Sequence, residues 1–326
     1  MNSFWNGRCV FVTGATGLVG SWLVRRLLSY DAHVVVLIRD ADPQSELLRS
    51  GDIHRTTVVN GCLEDYHCLE RAINEHEVDT VFHLGAQTIV GTANRNPLAT
   101  FEANVRGSYN LLEAARVHRS LVGRILVASS DKAYGDCEVL PYCEDTPPMG
   151  KHPYDVSKSC TDLISHAYYH TYGLPVVVAR CGNIYGGGDL NWSRIVPGTI
   201  ADFLKGVPPR IRSDGKFLRD YVYVEDAVSA YLAMAENADR EDVVGQSFNF
   251  GPGQPVSVLE IVGVISELMD CRDIEPIVLD EAKSEIRDQY LDSRKAREVL
   301  KWDPSYDLQD GLRETIGWYR QFLNGD

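Results

Sequence analysis

The sequence lacks a long hydrophobic run, and its first residues lead directly into a predicted strand at 9–13. A secretory leader or a membrane-spanning helix needs a continuous apolar segment, so neither is expected. Low-complexity stretches and internal repeats are also absent, which argues against long disordered regions and repeat architectures. We therefore expect a cytoplasmic globular protein that has no membrane partner.

Paired cysteine motifs are missing as well. The eight cysteines show no Cys-x-x-Cys spacing, and several fall inside predicted strands or helices, as reduced core cysteines do. Cys62, His67 and Cys68 are residue types that bind metals, but no second pair of ligands lies nearby in the sequence. The sequence therefore predicts neither a disulfide framework nor a metal site.

Positive charge is scarce, with 32 Lys and Arg against 46 Asp and Glu and a net charge of −14. The acidic excess is spread along the chain, which disfavours nucleic acid or an anionic membrane surface as the main partner. An anionic ligand must then be met by backbone amides at a helix start and by a few arginines. The candidates, each of which could instead form a surface salt bridge, are Arg180, Arg194, Arg219 and Arg287.

Short apolar runs alternate with helical patterns from residue 9 to residue 179. Strands buried on both faces and separated by helices indicate an α/β fold with a doubly wound parallel sheet. Beyond residue 179, glycines and prolines interrupt the pattern, as expected for a substrate lobe at the carboxyl ends of the strands. At 326 residues the chain suits a large domain with a smaller lobe.

A glycine loop follows the first predicted strand, with Gly14, Gly17 and Gly20 spaced three apart. Helical spacing at 21–28 and a second strand at 33–38 complete a βαβ unit. In such a unit the glycines let the backbone approach a pyrophosphate at the positive end of the helix. We expect a Rossmann-type NAD(P)-binding domain at 1–179, with later returns near 217–250, and a mainly substrate-binding α/β lobe at 180–326.

The end of the second predicted strand bears on the choice between NAD and NADP. Arg39 would suit the 2′-phosphate of NADP, whereas Asp40 could accept hydrogen bonds from the free ribose hydroxyls of NAD. The two cofactors are therefore nearly balanced.

Tyr154 and Lys158 are four residues apart and share one helix face. A tyrosine with its ordinary pKa of about 10 is a poor base at neutral pH. A nearby cation, together with the positive ring of an oxidised nicotinamide, would lower that pKa. Ser130 would bridge a substrate hydroxyl to Tyr154. Such a pair also arises from plain helix packing, but beside a glycine loop it indicates an enzyme that moves hydride.

With these features, the chain resembles the extended short-chain dehydrogenase/reductase family over essentially its whole length. The segments that carry the resemblance lie at 14–20, 83–87, 104–114, 129–135, 154–158, 219–226 and 300–304. The resemblance implies a homodimer formed through helices near 98–117 and 154–172. It also implies cofactor contacts at Gly14, Thr16, Gly17, Leu18, Val19, Gly20, Arg39, Cys62, Leu63, Leu84, Ala86, Gln87, Asn104, Tyr154 and Lys158.

Within that family the chain is similar to the nucleotide-sugar 4,6-dehydratases, and more narrowly to those that act on CDP-glucose. The similarity rests on Ser130-Asp131-Lys132 and on flanking signatures at 4–23 and 180–197. It implies that Tyr154 removes the C4 hydroxyl proton and that Asp131, its pKa raised by burial, protonates the departing C6 hydroxyl. Lys132 would be the C5 base or would assist it. Catalytic roles are thus expected for Ser130, Asp131, Lys132, Tyr154 and Lys158.

The resemblance also implies a substrate site. Arg219 and Arg287 would bind the pyrophosphate through paired hydrogen bonds, as guanidinium groups do. Asn183 would lie near the sugar or its phosphate, Thr88 would line the hexose site, and Arg194 is a further substrate contact.

Two departures from the family pattern leave alternatives open. Cys62 stands where most relatives carry an aspartate that contacts adenine, and Asp65 is expected to cap the following helix instead. The segment 219–224 is closer to epimerases and to other dehydratases than to typical CDP-glucose enzymes. The main alternative is a 4-epimerase of the UDP-sugar type, which needs Ser130, Tyr154 and Lys158 but not Asp131. A third reading is a cofactor-sensing protein without turnover.

Overall fold

A computed structural model describes residues 4–281 and 286–324 of the chain. The strands are β1 Cys9–Thr13, β2 His33–Ile38, β3 Thr57–Asn60, β4 Thr80–His83, β5 Arg124–Ala128, β6 Val176–Cys181, β7 Asn183–Tyr185, β8 Arg210–Ile211, β9 Leu218–Arg219, β10 Tyr221–Tyr223, β11 Ser247–Phe250, β12 Val256–Ser257 and β13 Ile277–Val278. The helices are α1 Leu18–Ser29, α2 Glu46–Arg49, α3 Tyr66–Glu75, α4 Val90–Arg95, α5 Pro97–Phe101, α6 Gly107–Val117, α7 Pro153–Tyr172, α8 Ile195–Leu204, α9 Val224–Glu236, α10 Val258–Met269 and α11 Leu308–Asn324.

The centre of the molecule is a seven-stranded parallel sheet in the order β11-β6-β5-β4-β1-β2-β3. The chain winds outward from β1 to β3 and then returns to β4 on the other side of β1. This reversal leaves a crevice beyond the carboxyl ends of β1 and β4, where ligands bind in doubly wound sheets. The α/β fold class predicted from the sequence is confirmed.

Helices cover both faces of the sheet because its central strands are apolar on both sides. On one face, Leu23 and Leu27 of α1 pack with Tyr231 and Met234 of α9. A separate cluster on the opposite face is formed by α3 and α6, including Leu69, Ile73, Leu111 and Ala115. The sheet is therefore sandwiched between two helical layers.

A third apolar cluster forms a smaller lobe from the later part of the chain. Ile200 of α8, Ile261 and Ile265 of α10, and Leu312 and Tyr319 of α11 are buried together there. The chain returns to the main sheet between parts of this lobe, since β11 pairs with β6. The residue limits assigned to the two lobes stay a prediction.

Local signals account for several helix boundaries. The side chain of Asp65 accepts a hydrogen bond from the backbone N–H of Cys68, so its predicted role as a helix cap is confirmed. The helix expected near 98–117 begins at Pro97 and contains a π-helical turn at Glu102–Arg106. Across residues 4–281 and 286–324, none of the helices has the length and apolar character needed to cross a lipid bilayer.

Arg180 is a structural residue rather than a surface cation. Its guanidinium donates to both carboxylate oxygens of Asp162, at 2.8 and 2.7 Å, and both residues are buried. Burial acts to raise the pKa of Asp162, but hydrogen bonds from Arg180 and His166 outweigh burial and lower the pKa to about 2. This ion pair ties α7 to β6 beneath the cleft.

The ion pair should make the free energy of unfolding sensitive to acid. Because the pKa of Asp162 is depressed in the folded state, its contribution is present at neutral pH and is lost as the pH falls from about 4 toward about 2. Asp162→Asn should lack this dependence and should lower the neutral-pH unfolding free energy by about 3–5 kcal/mol. Urea denaturation across pH measures both effects.

A matched control is Asp303→Asn, which removes an ion pair with Arg297 from a side chain that is 70% exposed. Exposed ion pairs contribute little, so this variant should unfold like the wild-type protein. Wild-type stability and acid sensitivity in Asp162→Asn would contradict a stabilising role for the buried pair.

Candidate active site

One large cleft, with a volume of about 1320 Å³, runs from the glycine loop to the smaller lobe. Its walls come from loops at the carboxyl ends of the sheet strands, from the start of α7 and from the start of α8. Most of the predicted cofactor contacts line it, namely Gly14, Thr16, Gly17, Leu18, Val19, Gly20, Arg39, Cys62, Leu63, Leu84, Ala86, Tyr154 and Lys158.

The glycine loop packs against a second loop at the point where the strand order reverses. Gly14 has a φ of +72°, and a Cβ atom there would lie 2.7 Å from the backbone nitrogen of Gly85. At Gly20 a Cβ atom would lie 2.1 Å from the carbonyl oxygen of Gly14. Only glycine permits both approaches, and the first residues of α1 line the cleft beside them. This cradle fits a dinucleotide pyrophosphate.

The end of the cleft beside β2 and β3, away from the smaller lobe, carries opposite charges. Arg39 Nε donates to Asp40 Oδ2 at 2.7 Å, and both side chains are exposed to solvent. Cys62 lines the same end, and burial is the main cause of the raised pKa of its thiol. The structure therefore offers a guanidinium, a carboxylate and a thiol where the adenosine part of a dinucleotide would lie.

A short turn at Asp131–Tyr134 follows β5 and carries the predicted acid and base. Ser130 Oγ donates to Asp131 Oδ1 at 3.0 Å and accepts from the backbone N–H of Lys132 at 3.2 Å. The Asp131 side chain is 2% exposed. Within the described residues, Asp131 Oδ2 has no hydrogen-bond partner. Asp131 thus has one carboxylate oxygen held by Ser130 and one unpaired.

Tyr154 and Lys158 lie on the buried face of α7 next to this turn. Lys158 Nζ donates to the carbonyl oxygen of Ala128, the last residue of β5, at 2.7 Å. Burial lowers the pKa of Lys158 to about 8. The two side chains are 8% and 4% exposed, so both lie in a largely dry part of the cleft.

Burial is also the main influence on Tyr154 and raises its pKa to about 12, against the opposing effects of Arg194 and a hydrogen bond with Ser130. The lowered pKa expected from the sequence included the positive charge of an oxidised nicotinamide, which the protein alone does not supply. In the protein alone, desolvation of the phenolate dominates.

Gln87 and Asn104 lie behind the cleft surface and fix its shape. Asn104 Oδ1 accepts from the backbone N–H of Gln87 at 2.6 Å, and Asn104 Nδ2 donates to the Gln87 carbonyl and to Ser157 Oγ. These bonds connect the loop after β4 to α7. Their predicted contacts with a cofactor stay a prediction.

The residues predicted to bind substrate are divided between the cleft and its surroundings. Thr88, Asn183, Arg194 and Arg219 line the cleft. Arg219 directs its guanidinium to the backbone carbonyls of Leu218, Ile286 and Arg287. The Arg287 guanidinium is 3.8 Å from an Asp214 carboxylate oxygen, with its side chain 63% exposed, and Arg287 is not among the described lining residues.

Two buried residues near the cleft, Gln289 and Asp220, carry no signal in the sequence that marks them as part of the site. Gln289 Oε1 accepts from Lys132 Nζ at 3.0 Å. Asp220 Oδ2 accepts from the backbone N–H of Leu291 at 2.6 Å, and burial, aided by the charge of Asp131, raises the pKa of Asp220 to about 7. Asp220 follows Arg219 in a segment that the sequence argument did use, but its carboxylate carries no local signal of burial.

The arrangement combines a phenol, a buried ammonium, a carboxyl group and a second amine around one part of a cleft. The phenol and ammonium can serve proton transfer to and from a hydroxyl group. The carboxyl group and the second amine add a separate acid and base, which elimination of water requires. The glycine cradle leads into the same space.

Comparisons with known proteins agree with this geometry. Residues 11–315 match a family model described as GDP-mannose 4,6 dehydratase. The chain is 29% identical to CDP-glucose 4,6-dehydratase from Salmonella typhimurium, over 99% of this chain and 94% of that one.

Among solved structures, UDP-glucose 4-epimerase from Thermotoga maritima superimposes with a TM-score of 0.88 at 29% identity, covering 97% of this chain and 99% of that one. The dTDP-glucose 4,6-dehydratase from Streptomyces venezuelae, with NAD bound, gives a TM-score of 0.87 at 27% identity, covering 96% and 97%.

Proposed function

This chain belongs to the GDP-mannose 4,6-dehydratase family of extended short-chain dehydrogenases/reductases, and we propose that it is a nucleotide-sugar 4,6-dehydratase whose substrate is CDP-glucose. The product would be the CDP-4-keto-6-deoxyhexose. Asp131 carries the proposal because it is buried beside Ser130 and lines the cleft together with Lys132 and Tyr154. Inversion of the configuration at C4, the reaction of a 4-epimerase, does not require an acid that protonates the C6 hydroxyl.

The cofactor is a nicotinamide dinucleotide, NAD or NADP, held by the glycine cradle at Gly14 and Gly20. The first residues of α1 would hold its pyrophosphate, and the bound cofactor would supply a hydride acceptor for C4 and a hydride donor for C6. Arg39 can meet a 2′-phosphate, and Asp40 can meet free ribose hydroxyls, so both forms of the cofactor remain candidates.

In the first step Tyr154 takes the C4 hydroxyl proton as the C4 hydrogen leaves as hydride, and C4 becomes a ketone. Tyr154 must be a phenolate to do this, which burial in the protein alone opposes. The positive charge of an oxidised nicotinamide and the ammonium of Lys158 favour the phenolate. Ser130, which acts to lower the pKa of Tyr154, would bridge the phenol oxygen and the substrate hydroxyl.

In the second step water is eliminated across C5 and C6. The C4 ketone acidifies the C5 hydrogen, and the neutral amine of Lys132 removes it as a proton. Asp131, protonated, gives its proton to the C6 hydroxyl, which leaves as water while a C5–C6 double bond forms. Hydride then adds to C6 and a proton returns to C5, which leaves the 4-keto-6-deoxy sugar.

The Ser130-Asp131-Lys132 turn and the flanking signatures at 4–23 and 180–197 support the choice of CDP-glucose, because the resemblance to CDP-glucose enzymes rests on them. The Salmonella CDP-glucose 4,6-dehydratase is 29% identical over 99% of this chain, and a dTDP-glucose 4,6-dehydratase from Xanthomonas campestris is 29% identical over 94% of it. Overall identity therefore does not distinguish the two bases, and the choice of CDP-glucose rests on the turn and the signatures.

A 4-epimerase is the second candidate, and the match to the Thermotoga maritima UDP-glucose 4-epimerase favours it. Ser130, Tyr154 and Lys158 would suffice for C4 oxidation and reduction. The buried Asp131 argues for the dehydratase, because an unpaired buried carboxylate oxygen is costly without a chemical role.

Asp131→Asn separates the two candidates. In a dehydratase the variant should lose turnover by roughly 10²- to 10⁴-fold, because the C6 hydroxyl lacks its acid. The first hydride transfer should survive and appear as absorbance of reduced nicotinamide after substrate is added. Asp239→Asn, at an exposed position, is the control and should keep full turnover. Undiminished turnover in Asp131→Asn would favour the epimerase.

We also propose that the protein is a homodimer formed through α5, α6 and α7. Leu98, Tyr109, Val117, Leu163 and Tyr172 on these helices are exposed apolar side chains. Ile164 and Tyr168 instead pack within the chain, so they contribute to the core. A two-fold axis would bury this exposed set against its own copy.

Light scattering after size-exclusion chromatography tests the dimer. Wild-type protein should have the mass of two chains, and Leu163→Asp should shift it to one chain because a carboxylate would be buried at the interface. Val139→Asp, at an exposed apolar residue outside these helices, should remain a dimer. A wild-type protein with the mass of one chain would rule this interface out.

A further inference from the structure

The contact between Lys132 and Gln289 joins parts of the chain that are 157 residues apart. Lys132 lines the cleft, and its Nζ donates to Gln289 Oε1 at 3.0 Å. Gln289 is fully buried and lies behind the described lining of the cleft. Gln289 therefore contacts the Lys132 amine from the interior of the protein, and the opposite side of the amine faces the cleft.

The backbone around Gln289 is held firmly. The N–H of Gln289 donates to the carbonyl of Leu218 at 3.0 Å, and Gln289 forms an isolated bridge with Arg219. Two residues further on, the N–H of Leu291 donates to Asp220 Oδ2 at 2.6 Å. These hydrogen bonds fix the backbone to which the Gln289 side chain is attached.

The amide group of Gln289 can hold the Lys132 amine without preventing that amine from acting as a base. A neutral lysine amine has two N–H groups and one lone pair, and an amide oxygen can only accept hydrogen bonds. Gln289 Oε1 therefore engages an N–H of Lys132 and leaves the lone pair free. Unlike a carboxylate, the amide has no charge, so it holds the amine with less stabilisation of the ammonium form.

The Nε2 atom of the Gln289 amide indicates that the contact with Lys132 has a functional role in addition to packing. Among the described residues, Gln289 Nε2 is buried and has no hydrogen-bond partner. A buried donor without a partner destabilises the fold, and an apolar side chain of similar size would avoid that cost. Rotating the amide by half a turn would not help, because Oε1 would then be the buried group without a partner and Nε2 would engage the lone pair that the neutral Lys132 amine needs as a base.

We propose that Gln289 is the positioning residue that holds the Lys132 amine in place to remove the C5 proton. The proposal rests on the dehydratase function proposed above. Gln289 touches neither substrate nor cofactor and acts through Lys132.

Several titratable groups lie around this amine. Asp131 is adjacent in the same turn, and His152, Tyr154 and Asp155 lie at the start of α7 and line the cleft. The charge of Lys132 opposes the rise that burial causes in the pKa of Asp155. Asp220 lies behind the turn, where its pKa responds to the charge of Asp131.

The test measures C4 oxidation and C5 deprotonation separately in the variant Gln289→Met. Methionine keeps the length of the side chain and removes the acceptor oxygen. C4 oxidation is followed by the absorbance of reduced nicotinamide, and C5 deprotonation by exchange of the C5 hydrogen with deuterium from solvent. C4 oxidation and KM should be unchanged, while C5 exchange and kcat should fall by about ten- to one-hundred-fold.

Gln289→Glu is the second variant, since it keeps both the length and an acceptor oxygen. Its carboxylate should stabilise the ammonium form of Lys132 and move the acidic limb of the kcat profile to higher pH. Gln246→Met is the matched control, because Gln246 Oε1 accepts from Lys295 Nζ at 2.9 Å outside the cleft. This control should leave both half-reactions and the pH profile unchanged.

Equal losses in C4 oxidation and C5 exchange in Gln289→Met, or no loss in either, would overturn the positioning role. If Gln289→Met does not fold, an unshifted pH profile in Gln289→Glu overturns it instead. A wild-type protein that neither removes water nor exchanges C5 would refute the dehydratase function itself, which is a distinct result.

Discussion

The attachment of α7 to the carboxyl end of β5 is the constraint on which the site depends. Lys158 Nζ donates to the Ala128 carbonyl at 2.7 Å, and Ser159 Oγ donates to the Ala133 carbonyl at 2.8 Å. These bonds fix one helix against the last residue of a strand and against the turn that follows it. Since Tyr154 lies on that helix and Asp131 on that turn, the same contacts set the relation between phenol and carboxyl group.

Two further sets of contacts hold α7 in position, one through Ser157 and one through Asp162. Asn104, in the π-helical turn at Glu102–Arg106, connects Ser157 to the loop after β4. Arg180 and Asp162 form the buried ion pair beneath the cleft. A helix held on three sides can present two polar side chains in a dry environment, where their pKa values depart strongly from ordinary values.

Local patterns explain how much of this could be predicted from the sequence. Apolar strand runs, the spacing of Gly14, Gly17 and Gly20, and the Tyr154–Lys158 pair are all short-range signals, and the structure brings them to one cleft. The cap at Asp65 is local too. The family resemblance supplied Asp131 and Lys132, because a carboxylate next to a lysine has no diagnostic spacing of its own.

Long-range contacts explain what the sequence did not reveal. Gln289 meets Lys132 across 157 residues, and no periodicity or motif marks that pairing. Arg180 was an equally good candidate for an anionic ligand until its burial against Asp162 became visible. Burial of polar groups is decided by tertiary packing, so roles that depend on burial require the structure.

The most direct test of the account is the mass of the product formed by the wild-type protein. CDP-glucose, UDP-glucose, dTDP-glucose and GDP-mannose would be incubated separately, each with NAD or with NADP. We expect CDP-glucose to lose the mass of one water. Unchanged mass with an altered configuration at C4 would contradict the dehydratase, and water loss from another nucleotide sugar alone would contradict the assignment of CDP-glucose.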